Sequence, residues 1–337
     1  MKRYLGILVF LSFTLLLCAQ PITDVRTSQD IRYQGNVVTN SAGETWVLWE
    51  ENAGSGYQIQ AQKYSTLGNA AFDSPVIIST GIYPVFLVET VATSDGGVVL
   101  LYIQDIEQQV IMKVQKLNSL GQAQWTGNGT FVAPAMSPST NLAPPEAKLC
   151  ANNLGGAFLV YWGRDDLHGF VLHGMNYDAS GNNIWTEENL FLNPVTFKVN
   201  QLLLTDAGDL IINSAHMQGS FFRKVNNSGL SIGNDPMFAA DAVIPAHPRQ
   251  PRMQKGNSGQ ILIYSSVFHE GNPLEMQLMD ASGNLVYSSL KQLPVGLIDE
   301  NIGELKIAAS SDGGFILSCL TSQNLHEASE LRVQRLD

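Results

Sequence analysis

Residues Asn152 to Trp185 read NNLGGAFLVYWGRDDLHGFVLHGMNYDASGNNIW, and the sequence from Asn36 onward repeats this pattern more loosely. The pattern consists of a first glycine, an apolar run, a second glycine 21 to 25 residues later and an aromatic residue four positions beyond. A list of the first glycines reads Gly43, Gly97, Gly156, Gly208, Gly259 and Gly314, and they lie 51 to 59 residues apart. This period is typical of propeller blades and solenoids.

The second glycine predicts a tight turn in every unit except the last. These glycines are Gly68, Gly121, Gly181, Gly229 and Gly283. The residues four positions later are Phe72, Trp125, Trp185, Gly233 and Tyr287, so the fourth unit breaks the aromatic rule. In the turn Asp178–Asn182, an aspartate side chain can bond its own backbone and a glycine can take positive φ, which predicts a hairpin between neighbouring strands.

Four strand-like runs can be placed in each unit, and no stretch has sustained helical periodicity. The first strands are predicted at residues 36–39, 89–93, 147–151, 201–205, 252–254 and 305–309. The second run, such as Ala157–Trp162, is apolar on both faces, which indicates a strand buried on both sides. The third run, such as Tyr57–Gln62, alternates and therefore has one wetter face.

The fold predicted from these runs is all-β: a six-bladed β-propeller of four-stranded antiparallel blades over residues 20–337. Its units start near residues 36, 89, 147, 201, 252 and 305. The sixth unit ends after its third strand, whereas residues 22–31 belong to no unit. We therefore expect this N-terminal segment to pair with residues 331–336 as the missing outer strand, because closure removes an exposed edge.

The first 19 residues are predicted to be a secretory signal peptide. Lys2 and Arg3 precede an apolar stretch from Tyr4 to Cys18, and Ala19 offers a small residue for cleavage. The stretch is short for a bilayer span of about 20 residues. Lipidation of Cys18 is the alternative. Either processing predicts a secreted, periplasmic or cell-surface protein without a membrane span.

The charge balance argues against a polyanionic partner. The chain has 19 basic and 30 acidic residues. Loss of Lys2 and Arg3 with the signal peptide leaves 17 against 30, a net charge of −13. Nucleic acid and anionic membranes are therefore not expected as partners. Cys150 and Cys319 would lie on opposite sides of a six-fold ring, which predicts two free thiols rather than a disulfide.

The repeat resembles the tandem β-propeller repeats found in secreted bacterial proteins. The resemblance rests on Ser-Asp-Gly-Gly followed by an apolar run, and then on an Asn or Asp, a Gly, an Asn and a Trp, and it covers the chain from Asn36 onward. It implies the propeller fold and no particular activity, because the same scaffold carries many functions.

Candidate binding residues fall between the second and third strands, where a propeller would gather loops on one face. Four histidines, His168, His216, His269 and His326, and the carboxylates Glu50, Glu51, Asp105, Asp165, Asp166 and Glu270 are assigned to these loops. No histidine pair has compact zinc spacing, and no nucleophile elbow or phosphate loop is present. The predicted binding set is Arg164, Asp165, Asp166, His168, Glu50, Glu51, His269 and Glu270. No catalytic residue, metal or cofactor is predicted.

Two functions of different class follow from this set. The first is a non-enzymatic binding or scaffold propeller for an extracellular protein or glycan, favoured because no loop position repeats a catalytic residue type. The alternative is a carbohydrate-active hydrolase whose carboxylates come from separate blades. An ordinary solvated loop face also fits the same residues.

Overall fold

The described part of the chain consists of antiparallel β-strands and the turns between them. The computed structural model describes residues 35–52, 54, 56–106, 109–126, 129–136, 147–165, 169–185, 189–191, 196–216, 219–230, 252–264, 274–282, 284–287, 291–293, 301–322 and 330–336. Within these ranges no helix occurs, and thus none that could cross a membrane. The all-β class is confirmed. The predicted signal peptide and the segment 22–31 lie outside the described residues.

The strands form six antiparallel sheets within the described ranges, and each sheet follows chain order. Sheet 1 contains β1 (Asn36–Thr39), β2 (Thr45–Asn52), β3 (Tyr57–Tyr64) and β4 (Val76–Gly81). Sheet 2 contains β5 (Val85–Ala92), β6 (Val98–Ile106), β7 (Gln109–Leu117) and β8 (Thr130–Met136). Sheet 3 contains β9 (Ala147–Ala151), β10 (Ala157–Asp165), β11 (Gly169–Tyr177) and β12 (Asn189–Phe191).

Of the remaining three sheets, sheet 5 has four described strands, whereas sheets 4 and 6 have three instead of the four predicted for each blade. Sheet 4 contains β13 (Thr196–Leu204), β14 (Leu210–His216) and β15 (Gly219–Val225). Sheet 5 contains β16 (Arg252–Lys255), β17 (Ile261–Tyr264), β18 (Leu274–Met279) and β19 (Lys291–Leu293). Sheet 6 contains β20 (Asn301–Ala309), β21 (Phe315–Ser322) and β22 (Glu330–Leu336).

Consecutive sheets stack face to face, because each second strand is apolar on both faces. In β6, Leu100 and Tyr102 pack on sheet 1, whereas Val99 and Leu101 pack on sheet 3, and all four are fully buried. The same alternation links sheets 3, 4 and 5. The first strands of consecutive sheets are also in contact: β1 with β5, β5 with β9, β9 with β13, β13 with β16, and β16 with β20. The prediction of second strands buried on both sides is thereby confirmed for β6, β10, β14 and β17, whereas Ile316 in β21 is 39% exposed.

The first glycine of the repeat lies one residue earlier than predicted in three units. The positive-φ glycines are Gly43, Gly96, Gly155, Gly208, Gly259 and Gly313, so the assignments of Gly97, Gly156 and Gly314 were wrong. The pairs Gly96–Gly97 and Gly155–Gly156 each have two requirements. Gly155 takes φ 73°, whereas a Cβ on Gly156 would lie 2.0 Å from the Tyr177 carbonyl oxygen. Gly156 is therefore needed because the backbone of strand β11 approaches it closely, and not because of its φ.

The aromatic residue after the second glycine packs on the turn of the following sheet. Trp125 lies against Gly181, and its Nε1 donates to the Ala179 carbonyl at 3.0 Å. Trp185 lies against Gly229 in the same way, with its Nε1 donating to the Asn227 carbonyl at 2.8 Å. The repeat thus encodes a contact between units as well as a turn within each unit.

Candidate functional site

Glu50 is a carboxylate at a position that other units fill with uncharged residues. It lies seven residues after the positive-φ glycine of its unit, on the face of β2 that packs against sheet 2. The residues at the same offset in the other five units are Ile103, Trp162, Ala215, Ser266 and Leu320. The Glu50 residue is only 4% exposed. In sheets 2 and 3 the equivalent residues, Ile103 and Trp162, pack against the next sheet, so Glu50 puts a carboxylate where those units make an apolar contact.

The Glu50 carboxylate has one bonded oxygen and one unbonded oxygen. Oε1 accepts a hydrogen bond from the Leu87 backbone N–H at 2.5 Å, next to an irregularity in the pairing of β5 with β6. Oε2 is buried and has no hydrogen-bond partner. Burial raises the pKa of Glu50 to about 7, and the Leu87 N–H opposes this rise. The group is therefore held partly protonated near neutral pH.

A small recess opens beside this carboxylate, between sheets 1 and 2. The residues that line it are Glu50, Glu51, Asn52 and Tyr57 from sheet 1, and Pro84, Val85 and Phe86 from the next part of the chain. Its internal space is about 60 Å³. Because a water molecule needs roughly 10–15 Å³ on this measure, the recess suits a few waters or one small polar group rather than a sugar ring.

Glu51 also lines this recess, but its carboxylate lies on the opposite face of β2 from that of Glu50, although both were predicted as neighbouring loop carboxylates. Both belong to β2, which continues to Asn52, and successive side chains of a strand point to opposite faces. The Glu51 Oε2 accepts a hydrogen bond from the Gln60 amide on the other face, and the Glu51 residue is 6% exposed. The assignment of this pair to a solvated loop was therefore wrong, because stacking of the sheets buries the strand end.

The structure describes the other predicted site residues only in part. Arg164 and Asp165 end strand β10. Asp166, His168, His269 and Glu270 lie outside the described residues. Their grouping with Glu50 and Glu51 stays a prediction.

Two residues assigned to the same loops belong to strands instead. Asp105 lies in β6 and His216 ends β14. Both strands include a residue that was assigned to the loop after them, and the third strands follow after residues 107–108 and 217–218.

Metal and thiol chemistry receive no support from the described residues. In that part of the chain, no group of three or more His, Cys, Asp and Glu side chains could hold a metal ion. Cys150 is a free thiol in β9. Burial raises the pKa of its thiol to about 12, so the reactive thiolate is not populated at neutral pH.

Sequence reasoning missed the partners of Glu50. The Leu87 N–H lies 37 residues away and on another sheet. Of the recess residues, Tyr57 was assigned only to a predicted strand and Val85 to none. A usable signal did exist. Once the units are aligned on their positive-φ glycines, Glu50 stands out as the carboxylate among otherwise uncharged residues.

Solved structures resemble this chain at low identity. Prolyl oligopeptidase B from Galerina marginata, bound to a 35mer hydrolysis and macrocyclization substrate, matches with TM-score 0.42 and 10% identity over 87% of this chain. The chain spans 39% of that protein. A polysaccharide lyase matches with TM-score 0.40 and 10% identity, over 90% of this chain and 57% of the lyase.

A protein from Lactobacillus plantarum matches with TM-score 0.44 and 11% identity, over 82% of this chain and 77% of its own. No protein-family model and no curated protein sequence matches the chain. What the structural relatives bind or cleave is a property of those proteins.

Proposed function

We propose that this chain is an exported six-bladed propeller that binds an extracellular protein or glycan without catalysis. The observation that carries the binding proposal is the buried carboxylate of Glu50, which leaves one oxygen unbonded beside a recess between two sheets. An unsatisfied buried polar atom costs free energy, roughly 1–3 kcal/mol, and such groups concentrate at functional sites. Export rests on the Lys2 to Ala19 segment.

Ring closure is supported by apolar surface on the two terminal sheets. On sheet 1, Val37 and Ile77 are 63% and 53% exposed on the face turned away from sheet 2. On sheet 6, Val333 is 63% exposed. Packing these two faces together would give every sheet two neighbours. Residues 22–31 would then add the fourth strand beside β22.

Val333→Asp is expected to lower the free energy of unfolding by about 2 kcal/mol, because closure would bury this side chain against sheet 1. The control is Val286→Asp, at a residue 49% exposed after β18, which should change stability by less than about 0.5 kcal/mol. Urea unfolding measures both. Equal small effects would show that Val333 stays in solvent and that the ring is not closed through this face.

The binding face is proposed at the end of the second strands, where Glu50 lies and where residues 166–168 join β10 to β11. Rigid strands that present variable loops are a common way to hold a binding site. The net charge of the mature chain, −13, favours a basic or neutral partner over an acidic one. An extracellular protein with basic side chains fits this charge best, and a neutral glycan fits it next.

The combined variant Arg164→Ala, Asp166→Ala and His168→Ala is expected to weaken partner binding by about 1 kcal/mol or more, with no change in melting temperature. The partner would first be identified with arrays of glycans and of purified extracellular proteins. The matched control is Leu120→Ser in the turn after β7, at the opposite ends of the strands and 68% exposed. Loss of binding in the Leu120 variant alone would place the partner on the other face.

The hydrolase alternative needs two carboxylates that face one substrate. Glu50, with its pKa of about 7, has the property of a general acid. Glu51 turns to the opposite face of the sheet, where Gln60 holds it. The position of this pair therefore favours binding over hydrolysis.

A further inference from the structure

The Glu50 carboxylate is built to meet a positive charge that the described chain does not provide. Glu50 is 4% exposed and therefore 96% buried. Its Oε2 has no hydrogen-bond partner. A buried carboxylate is normally paired or neutralised. The neighbouring hydrogen bond from Leu87 fixes Oε1 and so fixes the direction in which Oε2 points.

The geometry selects among cations. A guanidinium ion binds best through two parallel hydrogen bonds to both oxygens of one carboxylate, but Oε1 of Glu50 already accepts the Leu87 N–H. Calcium needs six to eight oxygen ligands, and the described residues contain no cluster of three ligating side chains. One unbonded oxygen suits a compact ion with point donors, which is an ammonium group.

The walls of the recess indicate what carries the ammonium group. Pro84 and Val85 are apolar and Tyr57 offers an aromatic ring, so a chain of methylenes can lie against them. The internal space of about 60 Å³ admits the end of such a chain. An aromatic ring near an ammonium ion adds further attraction.

We propose that this recess binds the ammonium group of a lysine side chain on a partner protein. The inference rests on the proposed binding function only for the partner; the recess itself can be tested with a small probe. Glu50 is the binding carboxylate, and Leu87 is the positioning group that orients it through its backbone N–H.

The test uses the full-length protein labelled with ¹⁵N at pH 8, where the Glu50 carboxylate is largely ionised. Nα-acetyl-lysine methylamide is titrated, and the Leu87 amide resonance is followed, because this N–H contacts Glu50 directly. A saturable shift with Kd in the millimolar range is expected for so small a probe. Nα-acetyl-norleucine methylamide, which lacks the charge, should bind at least tenfold more weakly.

Two variants separate binding from folding. Glu50→Gln keeps the shape and removes the charge, and it should lower affinity for the lysine probe at least tenfold. Glu50→Leu installs the residue type of the sixth unit, Leu320, and should abolish the response in a folded protein. The control Asp73→Asn changes an exposed carboxylate between β3 and β4 and should bind the probe as the unmodified chain does.

Several outcomes would overturn the proposal. These are the absence of a Leu87 shift with the lysine probe, equal binding of the lysine and norleucine probes, equal or tighter binding of Nα-acetyl-arginine methylamide titrated in the same way, or a shift with calcium chloride but not with the lysine probe. The two proposals fail separately. If the combined Arg164, Asp166 and His168 variant weakens partner binding while the Leu87 resonance does not shift with the lysine probe, the proposed binding function is supported and lysine binding in the recess is not. If the lysine probe binds but no partner is found, only the proposed function fails.

Discussion

Replacing Trp125 with alanine is expected to lower the free energy of unfolding by about 3–5 kcal/mol, the usual range for a buried Trp. Trp125 is 3% exposed, its Nε1 donates to the Ala179 carbonyl at 3.0 Å, and its ring centroid lies 5.4 Å from that of Tyr177. The variant removes a large buried ring and leaves the Ala179 carbonyl without this donor. Urea unfolding by fluorescence and by circular dichroism would measure the loss.

The glycine under Trp125 supplies the matched control. A Cβ on Gly181 would lie 2.7 Å from the Trp125 ring, whereas a Cβ on Gly68 would meet nothing within 4 Å. Both glycines have positive φ, 85° and 78°, so Gly181→Ala and Gly68→Ala share the same backbone cost of about 1–2 kcal/mol. In the Trp125→Ala background the two alanine variants should become equal. A persistent difference would mean that the tryptophan does not pack on this turn.

Local chemistry explains why the turns and several strands could be predicted from the sequence. The bounds predicted for β1 and β9 agree with the structure. The turn at Asp178 forms as expected: its Oδ1 accepts from the Ser180 and Asn182 N–H groups at 2.8 and 2.9 Å, and Gly181 takes positive φ. These features depend on residues within five positions of each other, which a sequence displays directly.

The register of the Gly-Gly pairs could not be read in the same way. At Gly155–Gly156 the first glycine is required for its positive φ, and the second because a carbonyl oxygen approaches it closely. The sequence shows only two adjacent glycines and does not tell which one has positive φ. Only the single glycines at Gly43, Gly208 and Gly259 fix the alignment without ambiguity. The one-residue error does not affect the odd position of Glu50, because the residues seven positions after the glycines first assigned are also uncharged in the other five units.

The ends of the second strands also escaped prediction, since burial there depends on neighbouring sheets. Glu50 and Glu51 look like the start of a polar loop, yet they continue β2 and are 4% and 6% exposed. The partner of Glu50 is a backbone N–H on sheet 2, so no local pattern could indicate it. Tertiary stacking overrides local polarity at this position, and this is where the chain departs from its own repeat.

The burial of Glu50 makes its pH dependence the clearest physical test of the site. Its pKa is about 7 in the folded chain against the ordinary value of 4.5. Below pH 4.5 the group is neutral in both states and has no effect on stability. As pH rises from 4.5 to 7 the unfolded chain loses the proton while the folded chain keeps it, so stability falls. Above pH 7 the loss is complete, at about 3 kcal/mol.

Glu50→Gln is therefore expected to be more stable than the unmodified chain by about 2–3 kcal/mol at pH 8.5, with the gain fading as pH falls to 4.5. The glutamine carbonyl can still accept the Leu87 N–H, whereas no charge remains to be desolvated. Urea midpoints of both proteins, measured across this range, give the difference directly. Asp73→Asn, at an exposed carboxylate, should stay within about 0.5 kcal/mol of the parent throughout. A Glu50→Gln protein whose relative stability is lowest at pH 8.5 would instead mean that the folded chain itself neutralises the Glu50 charge, and the recess would then need no cation from a partner.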